Sequence, residues 1–233
     1  MSAAVALKSL VINPVAKHTA TVIFVHGLGD SGHGWAPLAQ QFARDPRLQH
    51  VKWVLPHAVE MRVTANMGMV MPSWFDIKTF ELETQEVEPG MLRSSMALNK
   101  LISTEVDAGI DASRVVLGGF SQGGAMSLLT GLTGERTLGG LVVLSGWLPL
   151  NAKFKSMATD AVKRTPIFWG HGKADPLVKY QFAEASVKFL KEQLGVPISE
   201  DRLTFKSYEG LEHSSDPQEI ADVHSWLVNR LRA

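Results

Sequence analysis

The stretch Gly118-Gly119-Phe120-Ser121-Gln122-Gly123-Gly124 decides how this chain is read. Ahead of it stands Arg114-Val115-Val116-Leu117, short, apolar and β-branched, the pattern of a buried strand. Behind it stands Ala125-Met126-Ser127-Leu128-Leu129, which reads as a helix. Gly119 and Gly123 flank Ser121 at minus two and plus two, giving G-x-S-x-G. A sharp strand-to-helix turn brings two backbones together, and a Cβ at either flank would collide. The serine at the tip is pushed outward. Its Oγ then stands at a helix start, where free N–H groups and the positive dipole end favour a developing oxyanion. The plain alternative is a glycine-rich turn with no chemistry, and the pattern alone is weak. Its position between a strand and a helix gives it weight. No Lys-Ser or Lys-Thr pair follows the glycines, and the G-x-G-x-x-G spacing is missing, which disfavours a phosphate loop and a dinucleotide site.

Working outward, the same alternation recurs. Thr21–Val25 is an apolar run ending in His26-Gly27-Leu28-Gly29-Asp30, a strand and its loop. Trp35, Leu38, Ala39 and Phe42 then share a helical face. Residues 51–55 form a second strand, stopped by Pro56, and residues 56–87 show no clean helical period. Glu88-Pro89 opens a helix with Leu92, Ser95, Leu98, Ile102 and Val106 as its inward stripe. Strands follow at 141–144, 166–169 and 203–208. Pro176 is expected to open a helix that ends at Gly195, and Asp216-Pro217 the last one. Strands in continuous apolar runs, alternating with helices, mean a mostly parallel sheet covered by helices on both faces. Right-handed crossovers then bring the loops after the strands to one edge. Those loops hold residues 26–30, Ser121, Asp175 and His213.

Composition narrows the function classes. The 233 residues suffice for a large core, and no linker or repeat divides them, so one domain over 1–233 is expected. Lys plus Arg and Asp plus Glu are 23 each, so no basic surplus points to nucleic acid or to an anionic membrane. The absence of cysteine rules out disulfides, thiol nucleophiles, thiolate metal sites and palmitoylation of the chain itself. No cofactor or metal is called for. Residues 1–10 lack the features of a signal peptide, and no run is long enough to span or anchor in a membrane. The expectation is a cytoplasmic chain, with the nucleus also open to it.

A serine hydroxyl needs a base within hydrogen-bond reach, and the base needs an orienting acid. In this architecture they follow in the order Ser, acid, His. His171, His213 and His224 are the histidines after Ser121. His171 lies in a glycine turn and His224 well inside the last helix, whereas His213 is in the loop after the last strand. Asp175 follows a buried strand directly, though an Asp before Pro176 also reads as a helix cap. Asp201 and Asp216 read as a solvated residue and an ordinary cap. The oxyanion needs two backbone N–H groups: Gln122 follows the nucleophile, and Leu28 lies between glycines in the first loop. His26 reads as structural, and Asp30 and His33 as loop-stabilising.

Taken together, these motifs resemble the acyl-protein thioesterases of the lysophospholipase–carboxylesterase family. The matching residues are His26-Gly27-Leu28-Gly29-Asp30 with Gly32-His33-Gly34-Trp35, Pro72-Ser73-Trp74-Phe75-Asp76, Gly119-Phe120-Ser121-Gln122-Gly123-Gly124, His171-Gly172 with Asp175-Pro176 and Val178, and His213-Ser214-Ser215. The resemblance spans nearly the whole chain in order. It implies an α/β-hydrolase fold, a Ser121–His213–Asp175 triad, and Leu28 and Gln122 as oxyanion donors. It also implies S-acylated proteins and lysophospholipids as substrates, with small esters cleaved too. A short-chain carboxylesterase and a non-catalytic lipid binder on the same fold are the competing readings.

Met67-Gly68-Met69-Val70-Met71, followed by Trp74 and Phe75, falls in the aperiodic segment. An extended run there would project three methionines to one side, a surface suited to a flexible acyl chain. Ordinary core packing is the alternative reading. The length of the segment favours a lid or groove wall, and the resemblance implies an acyl channel at this loop. Met69, Met71, Trp74, Phe75 and Trp147 are the candidate lining residues, with Trp147 equally readable as core.

Overall fold

The apolar runs of the sequence become the strands of one twisted sheet. The computed structural model describes residues 6–79 and 87–233. In chain order the elements are β1 (Ser9–Ile12), β2 (Ala20–Val25), α1 (Gly32–Ala43), β3 (Val51–Pro56), β4 (Glu60–Val63), β5 (Met69–Pro72), α2 (Glu88–Asp107), β6 (Val115–Phe120) and α3 (Gln122–Thr133). They continue with β7 (Gly140–Leu144), α4 (Asn151–Met157), β8 (Ile167–Gly172), α5 (Tyr180–Leu194), β9 (Leu203–Tyr208) and α6 (Pro217–Arg230). The sheet order is β1-β3-β2-β6-β7-β8-β9. β1 pairs antiparallel with β3, and every other neighbour is parallel. A separate antiparallel hairpin joins β4 to β5.

The period of two divides each strand between two cores. Ile23, Val25, Leu117 and Val143 point to one face, where Leu98 of α2, Met126 of α3 and Val187 of α5 cover them. Val22, Phe24, Val116, Val142 and Leu144 point to the other, under Phe42 of α1 and Val223 and Trp226 of α6. This is the architecture of an α/β-hydrolase.

Four departures from the sequence reading bear on the architecture around the site. β1 is an unforeseen edge strand of four residues. The segment 56–87 holds the β4–β5 hairpin, and its residues 80–86 lie outside those described. α5 begins at Tyr180 and not at Pro176, because residues 175–178 turn back around the Asp175 carboxylate first. On α2 the inward stripe is Met91, Ser95, Leu98, Ile102 and Glu105, while Leu92 is exposed. Glu105 can be buried because Lys52 Nζ meets it at 2.7 Å and Thr21 Oγ1 at 2.8 Å. Among the described residues, no helix is long and apolar enough to cross a membrane.

Candidate active site

β6 runs up the centre of the sheet and stops at Phe120, and α3 starts at Gln122. Ser121 is the single residue between them, with φ 55° and ψ −119°. A non-glycine residue held there stores strain on the order of 1–3 kcal/mol. The surroundings enforce it. A Cβ on Gly119 would lie 2.5 Å from the Gly123 backbone, and one on Gly123 would overlap the Val25 carbonyl. Only glycine lets β6, α3 and the end of β2 approach this closely.

His213 comes from the loop between β9 and α6, and Asp175 from the loop after β8. His213 Nε2 lies 3.0 Å from Ser121 Oγ, and its Nδ1 lies 2.7 Å from Asp175 Oδ2. With Nδ1–H donating to the carboxylate, Nε2 presents a lone pair to the serine hydroxyl. The other oxygen of Asp175, Oδ1, accepts from Leu177 N and Val178 N, both at 2.9 Å. Asp175 is therefore buried, fixed by three donors, and caps a turn rather than a helix. His171 lies beneath it, 3.6 Å from Oδ2, with Nε2 donating to the Val178 carbonyl at 2.7 Å. Burial pushes His171 below the usual histidine range, with the hydrogen bond and Asp175 opposing. The neutral ring leaves the negative charge of Asp175 to His213. Phe120 flanks the imidazole at 4.8 Å between ring centroids.

Among the described residues, neither the Leu28 nor the Gln122 backbone N–H has an intramolecular acceptor. Both flank the serine, one from the loop after β2 and one from the first turn of α3. The Gln122 side chain has a further part that the sequence does not reveal. It is fully buried, and its Oε1 accepts from Trp74 N at 3.0 Å while its Nε2 donates to Phe75 O at 2.8 Å. Trp74 Nε1 in turn donates to His26 O at 2.9 Å. His26, wholly buried, has Nδ1 2.6 Å from the Gly27 carbonyl and accepts from Ala58 N at its other nitrogen. The hairpin exit, the first loop and the serine turn are thus tied into one unit. G-x-S-x-G followed by a polar residue is the available signal for Gln122, but its partners lie about fifty residues away. In the first loop the Asp30 carboxylate abuts Gly34, and the His33 ring lies tilted against His57 at 5.1 Å between centroids. His224 pairs with Asp45 at 2.9 Å and packs on Phe42, away from the triad. Asp216 caps α6 through Glu219 N at 2.8 Å.

An open cavity of about 1420 Å³ passes over Ser121 and His213. Leu28, Met71 and Trp147 line it, together with Ile77, Leu177 and Val178. Met69, Trp74 and Phe75 do not. Met69 is 52% exposed on the hairpin and Met67 turns outward at 90%, so the methionines do not form one inward row. Trp74 and Phe75 are core residues at 3% and 2%, held inward by the Gln122 and His26 contacts.

The model of a family described as phospholipase/carboxylesterase matches residues 7–230. The acyl-protein thioesterase 1 of Cryptococcus neoformans var. neoformans is 49% identical over 236 residues, covering 97% of this chain and 98% of its own. That of Mycosarcoma maydis is 46% identical, covering 95% and 96%. Among solved structures, Arabidopsis thaliana SOBER1 superposes with a TM-score of 0.85 at 36% identity, over 92% of this chain and all of its own. Zea mays acyl-protein thioesterase 2 gives 0.83 at 31% identity, over 96% and 99%. The chain therefore belongs to the phospholipase/carboxylesterase family and is a serine hydrolase of the α/β-hydrolase fold.

Proposed function

We propose that this enzyme hydrolyses the thioester between a long-chain acyl group and a cysteine of an S-acylated protein, with Ser121 as nucleophile. His213 Nε2 takes the hydroxyl proton as Oγ attacks the acyl carbonyl. The Leu28 and Gln122 N–H groups receive the oxyanion, which develops where no intramolecular acceptor competes for them. Asp175 holds the ring and stabilises the imidazolium. The tetrahedral adduct collapses, the carbon–sulfur bond breaks, and the thiolate leaves with the proton from His213. Water then attacks the acyl-serine as His213 takes its proton; the adduct collapses, His213 returns the proton to Ser121 Oγ, and the carboxylic acid departs.

The observation that carries this reading is the Asp175–His213–Ser121 hydrogen-bonded chain opening onto a cavity with an apolar wall. Leu28, Met71, Ile77, Trp147, Leu177 and Val178 offer the acyl chain thioether, aliphatic and aromatic surface beside the nucleophile. The β4–β5 hairpin contributes to this groove through Asn66 and Met71. Two relatives at 46–49% identity carry the name acyl-protein thioesterase, which supports the thioester as the bond cleaved. Lysophospholipids and small esters fit the same machinery, because nothing in the triad reads the leaving group. Release of palmitate from an S-palmitoylated peptide tests the reading, run beside a lysophospholipid and a short oxygen ester. Faster turnover of the peptide supports it. Turnover confined to the short ester would reduce the enzyme to a carboxylesterase.

A further inference from the structure

The cavity has a second arm that the acyl chain does not need. Beyond His213 it continues between α1 and α6, where Trp35, Leu38 and Gln41 face Ile220, Ala221 and His224. The aromatic series His213–Phe120–Trp35, with centroid separations of 4.8 and 5.6 Å, joins this arm to the triad. Its far end is bounded by Arg44 and Asp45. Asp45 is already paired, with Arg47 at 2.7 Å and His224 at 2.9 Å. The Arg44 side chain is exposed and has no hydrogen bond or ion pair among the described residues.

We infer that this α1–α6 arm binds the polypeptide on which the acylated cysteine is carried, and that Arg44 favours an acidic side chain at its far end. The inference rests on the thioesterase reading above. Three points carry it. The leaving sulfur must take its proton from His213 Nε2, so the leaving group lies on the His213 side of Ser121, and that side opens onto the α1–α6 arm. Met71 and Trp147 of the acyl wall come from β5 and the loop after β7, Trp147 packing on the sheet face opposite α1 and α6, which leaves the α1–α6 side for what the acyl chain is attached to. The floor mixes apolar and polar residues and ends at an unpaired guanidinium, which suits a polypeptide better than a second fatty chain. The reach follows from helix geometry. Trp35 to Arg44 is nine residues of helix, about 14 Å. An extended peptide covers that in about four residues. The two ring steps from His213 to Trp35 add up to about three more residues, so the preferred acidic residue lies about four to seven positions from the acylated cysteine.

The test compares kcat/KM for three compounds with the same acyl chain. Two are peptides with a single S-acyl cysteine and either Glu or Lys at each of the positions four to seven residues away. The third is the thioester of a small thiol. The wild-type enzyme is expected to favour the Glu peptide several-fold over the Lys peptide. Ala221→Trp, a substitution at an exposed position, should lower the ratio of peptide to small-thioester turnover at least tenfold. Arg44→Gln should remove the Glu-over-Lys preference without the bulk of Trp. A ratio indifferent to Ala221→Trp, in an enzyme that cleaves both thioester types, overturns the arm and leaves the thioesterase reading standing. A wild type that cleaves no thioester but still cleaves a short oxygen ester overturns both.

Discussion

Ser121 owes its expected reactivity to the two nitrogens of one ring, and the ring owes its orientation to one carboxylate. That dependence sets the order of losses. Ser121→Ala and His213→Ala are each expected to lower kcat by about a millionfold, and Asp175→Ala by about ten-thousandfold or more. Steady-state turnover of a chromogenic ester measures all three; near-normal activity in either of the first two contradicts the assignment. Glu219 governs a different property. It is wholly buried on the first turn of α6, with no hydrogen-bond partner for either oxygen among the described residues, against Gly170 of β8. Burial, then Asp216 and Asp222, push its carboxyl from the usual 4.5 up to about 8. The folded state therefore keeps a proton between about pH 4.5 and 8 that the unfolded chain has released. Stability contributed by this group falls as pH rises through that window, and the loss is complete above it. Glu219→Gln cannot ionise, so its melting temperature should exceed that of the wild type at pH 9 by several degrees, and by much less at pH 5. An equal offset at both pH values contradicts a neutral Glu219. The sequence makes the triad legible because each member sits in a loop after a strand. It hides Glu219, which three residues after the cap Asp216 has the spacing of a capping-box glutamate yet turns its side chain inward.

At the scale of elements, the serine turn is the most constrained junction. Gly123→Ala would drive a methyl group into the Val25 carbonyl, so β2 and α3 must separate. A drop of several degrees in melting temperature and at least a hundredfold loss of activity are expected. Gly195→Ala makes the contrast. Gly195 closes α5 at φ +69°, and an added methyl would have no neighbour within 4 Å. That change should cost about 1 kcal/mol and leave kcat alone. Thermal melts and turnover of both variants check the pair; equal activity losses contradict a steric elbow. The spacing of Gly119 and Gly123 makes this turn legible in the sequence. The β4–β5 hairpin is not legible there, because four-residue strands ending in Pro72 give too short an alternation to separate from a loop. Trp74 and Phe75 read as groove residues for a related reason. Their inward direction is set by Gln122 and His26, and no local pattern shows those partners.

At the scale of the molecule, the site sits where the sheet reverses its order. From β2 the chain steps outward to β3, then returns to β6 and proceeds the other way. The loops after β2 and β6 therefore part at this point, and the gap between them holds Leu28 and Ser121. Alternating apolar runs make the parallel sheet and its loop-bearing edge legible; the antiparallel edge β1 is not, since it is short and half-exposed. The cavity beside the reversal should read acyl length. Each buried methylene is worth roughly 0.8 kcal/mol, so kcat/KM should rise about threefold or fourfold per carbon until the groove is filled. A series of p-nitrophenyl esters of increasing length measures this, and a flat series contradicts an apolar acyl arm.

Separate loops place an imidazole and a carboxylate beside one hydroxyl, and fluorophosphonate labelling followed by peptide mapping tests most directly the proposal that this hydroxyl is the nucleophile. A single adduct on Ser121 is predicted in the wild type, and none on that residue when His213→Ala is treated for the same time. An adduct on another residue, or labelling of Ser121 at an unchanged rate without His213, would contradict it.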